Sequence, residues 1–475
     1  MKKDKKALVD LSTKTFLQVT ALLFALMLAA IVLTYVIPKG AFGTTPDGGT
    51  DYLAYTRIEG ASGIPIWKGL LAPFLVFASD NGLTLIMLSL FLVVIFASFQ
   101  VMNDVGGIRV LVGAVAGRFE KRKALLLSMI ALVFMAFGAF LGLFEEMLSM
   151  LPIVTALCVL IGYDSFTGFL ASIVACGFGF ASAITNPFTV LLASEIIDTN
   201  PMTHITYRIL IFLVMYLLLL GFLFLYVRRI KKDPSSSLTQ AHDETLKAAE
   251  PTAGLPDLHK IERRTRIVYV VFLLLCLALI IACSAVSALR DYTVVVLIAY
   301  FLIFGPVAGL ISSRDAKAVF KSFGSGVVGA LPTIVFIALA SSIKYIFDEG
   351  AIMPTIVHSI NTLVAGHSPF VVALVLYAII LVLEFFISSS TAKAILVMGM
   401  LAVVSVPLSK QMLVLIYTFA DGYTTVLFPT SPVLLISLSM IGVDYFKWVK
   451  KSVPLFVANL ALVVLFLAIG IAFGY

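Results

Sequence analysis

Apolar runs of about 20 residues, the length that crosses a bilayer, recur along this chain between short basic or Gly/Pro-rich connections. The first run, 16–37, is too long for a signal-peptide core and ends in VIPKG, not in a small-residue cleavage site. It is read as a retained helix. A polar loop rich in Gly, Thr and Asp follows at 38–66, then a short interfacial helix over 67–79 and a span over 82–102. Residues 106–121 mix small, apolar and basic positions, as an amphipathic surface helix does. Two runs, 124–143 and 147–162, are separated only by FEEML at 144–148, and this pattern predicts a hairpin. The next run, 165–194, holds GFGFASAITNPFTV at 177–190, where Gly, Thr, Asn and Pro in mid-span predict a broken helix. A span over 207–227 ends in RRIKK.

Residues 228–266 lose the hydrophobic periodicity and carry charge, PSSS and three prolines, the composition of a mobile linker. They divide the chain into halves at 1–227 and 267–475. The second half repeats the order of the first: spans at 267–287, 292–312 and 324–346, an amphipathic piece at 351–365, a hairpin, a broken helix over 411–440 and a last span at 453–473. Landmarks recur at one offset: Asp104 with Asp348 (348 − 104 = 244), Glu146 with Ser390, and Asn186 with Thr430. A constant offset predicts an internal duplication.

Composition sets the medium. The chain has 475 residues, 61% hydrophobic and 12% charged, against roughly 25% charged in soluble domains. An all-α polytopic membrane protein is expected. The formal charge of +7 does not indicate nucleic-acid binding, because the basic residues sit in short loops, where they report orientation. Lys2, Lys3, Lys5 and Lys6, then Arg118, Arg122 and Lys123, Arg228 to Lys232, Arg263 and Arg264, and Lys447, Lys450 and Lys451 all fall on one side. The N-terminus is expected in the cytoplasm, and the two repeats are then inverted. Inverted repeats with broken helices are a secondary-transporter architecture. The four cysteines lie inside apolar runs without metal spacing, and the five histidines fall in loops or at run ends. No GxxxxGK[ST] phosphate loop, no GxGD context and no nucleophile–base set is found, so no enzyme and no cofactor is expected.

The candidate chemistry gathers at four interruptions. The second hairpin tip, near 388–393, reads EFFISSSTAKA over 384–394 and places Ser388, Ser389, Ser390 and Thr391 in a row ahead of Lys393. Hydroxyls at such a tip suit an ion or anion site, and the lysine suits a substrate carboxylate or the place of a bound cation. The first tip carries Glu145 and Glu146. Charge at mid-bilayer costs about 2.5–3.5 kcal/mol on insertion scales, so paired acids point to a cation, a substrate ammonium or a proton. Adjacent residues diverge by about 100° on a helix, so one of the two is expected to face the site. The breaks at Thr185-Asn186-Pro187 and at Thr430-Ser431 between two prolines expose backbone groups suited to Na⁺ or a carboxylate. Asp421 is a candidate proton or cation ligand, or the partner of a base.

The run ADGYTTVLFPTSPVLLISLSMIGVDYFKWVKKSVPLF, 420–456, together with FEEML, GYDS and GFGFASAITNPFTV, resembles the signature blocks of the YfcC family. That family is similar to anaerobic four-carbon-dicarboxylate carriers and arginine–ornithine antiporters of the ion-transporter superfamily. The resemblance covers nearly all of the chain outside 228–266. It implies an inverted-repeat ion-transporter fold with two re-entrant hairpins and two broken helices, a scaffold domain and a moving domain. It also implies a homodimer in the bacterial cytoplasmic membrane. Related sodium-coupled carriers bear Ser-Asn-Thr at each tip, where this chain has Glu145-Glu146 and Ser389-Ser390-Thr391.

The expected function is secondary active transport of amino acids or related amines, by antiport or coupled to H⁺ or Na⁺. Glu145 or Glu146 would take the ammonium, and the second tip the carboxylate. The alternative is a four-carbon dicarboxylate held by Lys393, sodium- or proton-coupled; a channel or membrane enzyme is the reading from another class. The partners expected are a small-molecule substrate and membrane lipid, with no nucleic acid.

Overall fold

The computed structural model describes residues 13–45, 50–60, 63–80, 82–119, 121–248, 258–285, 292–364, 366–387, 390–403 and 406–475. It is almost entirely helical. Helix α1 (Thr13–Val36) leads into strands β1 (Gly40–Thr44) and β2 (Thr50–Arg57). There follow α2 (Gly82–Asp104), α3 (Gly107–Arg118), α4 (Lys123–Ala136), α5 (Leu151–Leu160), α6 (Ser165–Ala181), α7 (Pro187–Ile196), α8 (Ile205–Lys232) and α9 (Gln240–Ala248). The second half contains α10 (Leu258–Ala285), α11 (Thr293–Ser313), α12 (Ala316–Glu349), α13 (Met353–Val364), α14 (Pro369–Phe386), α15 (Ser390–Val403), α16 (Lys410–Gly422), α17 (Pro432–Met440) and α18 (Tyr445–Phe473). Eight helices among the described residues are long and apolar enough to cross a membrane. The chain is a multi-pass membrane protein.

The elements from α2 to α8 recur, in order, as those from α12 to α18. The backbone repeats a detail that the apolar pattern does not carry. Asp198 and Gly442, again 442 − 198 = 244 positions apart, both adopt positive φ, at 52° and 68°. Each ends the helix after its break and turns the chain into the following span.

One group of helices, α1, α2, α10, α11 and α12, packs through small residues. Ser98 of α2 donates its hydroxyl to the Phe301 carbonyl of α11 at 2.7 Å. A Cβ on Gly326 of α12 would press on Ala97 of α2, so the two backbones lie close, as membrane interfaces built on small residues do. The second group holds the two helix–break–helix hairpins, α4–α5 and α14–α15, and the two broken helices, α6–α7 and α16–α17. The second arms α5 and α15 have 10 and 14 residues. At 1.5 Å per residue they reach about 15 and 21 Å, short of a hydrocarbon core of about 30 Å.

Two segments read as irregular hold regular elements among their described residues. Residues 38–66 were expected to be a loop, but β1 and β2 pair antiparallel there, with Phe42 opposite Tyr55. The Tyr55 ring stacks on His358 of α13 at 4.1 Å, and the Tyr52 hydroxyl donates to the Ile395 carbonyl of α15 at 3.2 Å. His358 is therefore engaged by an aromatic ring. Residues 228–266 are not one linker: α8 runs to Lys232, α9 spans Gln240–Ala248 and α10 begins at Leu258. Within that stretch Thr239 and Asp243 are buried. Asp243 accepts from the Ser165 backbone N–H at 3.1 Å and from Thr239 at 2.8 Å, capping the start of α6. Short polar side chains that satisfy a helix end have no hydrophobic period, which is why the sequence pattern missed the docking.

Candidate functional site

The site is built where the two broken helices cross. A Cβ on Gly422, the last residue of α16, would collide with the backbone of Ala181, the last residue of α6. Glycine allows the two helix ends to touch. Past the crossing, each chain restarts as a helix behind a side-chain cap followed by proline, the favoured first-turn residue. Asn186 Oδ1 accepts from Phe188 N at 2.9 Å and Thr189 N at 3.2 Å, and Ser431 accepts from Leu434 N at 3.5 Å.

The first break does not leave its backbone groups open. The arm α4 ends in a wide turn, Phe137–Leu141, and stops at Gly142, where φ of 69° reverses the chain. The carbonyls orphaned at that end meet the N–H groups orphaned by the break. Ile184 N and Thr185 N donate to the Ala139 carbonyl at 2.9 and 3.2 Å, Thr185 Oγ1 to Phe140 at 3.3 Å, and Asn186 Nδ2 to Gly138 at 2.9 Å. Thr185 and Asn186, read as exposing groups for a ligand, thus join the break to the first hairpin; Pro187 is buried behind them. Buried backbone groups are paired wherever a partner is near. At the second break, Trp448 Nε1 donates to the Val426 carbonyl at 2.8 Å and the Tyr445 hydroxyl to Leu427 at 3.0 Å. Thr430 and Ser431 are buried beside it.

The charged groups converge next to this crossing. Lys393, at the first turn of α15, is fully buried. Its ammonium pairs with Asp421 of α16 at 2.6 Å and with Glu384, in the last turn of α14. Ser390 Oγ donates to Asp421 Oδ2 at 2.9 Å, and the Tyr417 hydroxyl donates to the Ser390 carbonyl. One ammonium therefore joins both arms of the second hairpin to the helix that enters the second break. Burying an ion costs several kcal/mol even after relaxation, so such a cluster is a poor stabilising device and a strong mark of a working site.

Glu145 is half-buried and lies within electrostatic range of Asp421. Glu146 is buried at 8% exposure, and its Oε2 meets no hydrogen-bond donor among the described residues. The structure thus brings Ser390, Lys393 and Asp421 together with Glu384, while Glu145, beside Glu146 in the chain, lies within electrostatic range of Asp421. Thr391 is exposed. Ser388 and Ser389 lie outside the described residues.

The DcuC family, described as C4-dicarboxylate anaerobic carrier, matches residues 16–472. The chain belongs to this family. The carrier is also 26% identical over 392 residues to a protein of Escherichia coli K12 named "Putative basic amino acid antiporter YfcC", covering 78% of this chain and 75% of that one. An uncharacterized protein of Haemophilus influenzae is 24% identical over 372 residues, covering 77% of this chain and 71% of the other. Among solved structures, the Alcanivorax borkumensis YdaH transporter aligns over 96% of the carrier and 99% of its own chain, at 16% identity and a TM-score of 0.46. Neisseria gonorrhoeae MtrF aligns over 95% and 94%, at 14% identity and a TM-score of 0.44. The YfcC resemblance and its relation to dicarboxylate carriers stand on the family match and the two relatives. The carrier is a membrane transport protein.

Two residues of the site were not singled out from the sequence. Glu384 opens the polar stretch at 384–394, yet its acid was not paired with Lys393, nine positions on. A buried acid at the end of an apolar run was the available signal. Arg208 of α8 is 3% exposed, donates to the Ala183 carbonyl inside the first break at 3.4 Å and lies 6.0 Å from the centre of the Tyr475 ring. A lone arginine four residues into an apolar helix was the signal there.

Proposed function

We propose that this carrier moves a small amine-bearing solute, a cationic or zwitterionic amino acid, by secondary transport, with the Glu145–Glu146 tip receiving the ammonium. The observation that supports this most is the buried Glu146 carboxylate, which has an oxygen without a donor among the described residues. A buried carboxylate needs a partner, and an ammonium is one. Lys393 does not fill that role, because two carboxylates already hold it. Counting Glu145, Glu146, Glu384 and Asp421 against Lys393, the region is acidic, and acid attracts cations. The name of the Escherichia coli relative agrees with this reading.

In this reading both hairpins, α4–α5 and α14–α15, are re-entrant, and the protein works as a homodimer in the cytoplasmic membrane. The family's description points to a four-carbon dicarboxylate instead. That substrate would have to draw Lys393 away from Glu384 and Asp421.

A thermal-shift screen of the purified protein separates the two. Ligands that bind the folded state raise its apparent stability. Arginine, lysine or ornithine should raise Tm, by a shift that Glu146→Gln removes. Stabilisation by succinate or fumarate alone would overturn the proposal.

A further inference from the structure

We infer that the Lys393 ammonium is a built-in substitute for a coupling cation, so that the second hairpin closes on its broken helix without Na⁺. This inference rests on the carrier reading but not on the identity of the substrate.

Without the lysine side chain, the remaining groups form a cation site. Glu384, Asp421 and the Ser390 hydroxyl bring oxygens from the first arm, the broken helix and the second arm to one point. Carboxylate and hydroxyl oxygens are the ligands that hard cations take. A soluble cation in that place would tie the hairpin to the broken helix only while bound, and its occupancy would follow its concentration. Lys393 supplies the same single charge at the same point, attached to the backbone of α15. A tethered group acts at an effective concentration set by its linker, so the tie is permanent at any external Na⁺. Its complete burial and its two carboxylate partners also leave it poorly placed to receive a substrate from solution.

The charge count supports a role beyond packing. The ammonium balances one of its two carboxylate partners, and the second leaves the cluster with one net negative charge.

The test uses purified protein and proteoliposomes, without substrate in the binding arm. For the natural protein, Tm and exchange rate should be unchanged when Na⁺ is replaced by N-methylglucamine. Lys393→Ala should lose thermal stability in Na⁺-free buffer and regain it in a saturable titration with Na⁺ or methylammonium; Lys393→Gln, bulkier, should respond less. Na⁺-dependent exchange by the natural protein would overturn the inference, as would a Lys393→Ala protein whose Tm ignores both cations. Even if neither variant can be purified, a Tm of the natural protein that rises when Na⁺ replaces N-methylglucamine refutes the inference. A failed amino-acid screen would leave these titrations untouched, so the two proposals fail separately.

Discussion

A side chain added at Gly422 has nowhere to go, because the backbone of Ala181 occupies its position. By contrast, a Cβ on Gly221 in α8 meets nothing within 4 Å. Gly422→Ala should therefore separate the two helix ends and lower Tm by many degrees, whereas Gly221→Ala should be neutral or stabilising by about 0.5–1 kcal/mol. Parallel melts of the two variants check this, and equal effects would remove the crossing from the account. At this scale the sequence told more about kind than about pairing. Lys393, Asp421, Glu145 and Glu146 stand out as charges inside apolar runs, since lipid tolerates few of them. That Lys393 holds Glu384 and Asp421 depends on how three helices are rotated against one another, which spacing along the chain does not encode. Asn186 misled for a related reason. A polar residue at a break looks free until the opposing hairpin end, with its own orphaned carbonyls, is in view.

Among the elements, α9 gives the clearest pH prediction. Burial raises the Asp243 carboxyl above its ordinary value of 3.8, although hydrogen bonds from Ser165 and Thr239 oppose the shift. A group whose folded pKa is raised binds more protons when docked, so its contribution is complete below 3.8 and fades as pH rises through the folded value. The hold of α9 on α6 should therefore loosen with rising pH across that window. A spin label at the exposed position Gln240 reads this as increasing mobility. Mobility that falls or stays flat would contradict the docking. Long apolar spans and both broken helices were legible from period and from proline, because burial in lipid imposes those patterns. The β1–β2 hairpin and α9 were not, because short polar elements are held by capping and cross-strand contacts instead of a buried stripe.

For the whole molecule, the offset of 244 seen at Asp104 and Asp348 extends to paired positive-φ turns at Asp198 and Gly442. Two copies of one chain plan bring their hairpins and breaks to a shared centre. The copies then differ in charge: two adjacent acids at the first tip, one of them with an oxygen lacking a donor among the described residues, and a lysine held between two acids at the second. This asymmetry is what the proposal of an amine-bearing substrate rests on. The most direct measurement is counterflow in proteoliposomes loaded with unlabelled solute, reading entry of labelled arginine, lysine or ornithine against labelled succinate. Saturable entry of the amino acid, lost in Glu146→Gln and indifferent to succinate, is the predicted result. Counterflow of succinate with no entry of any amine would contradict the account.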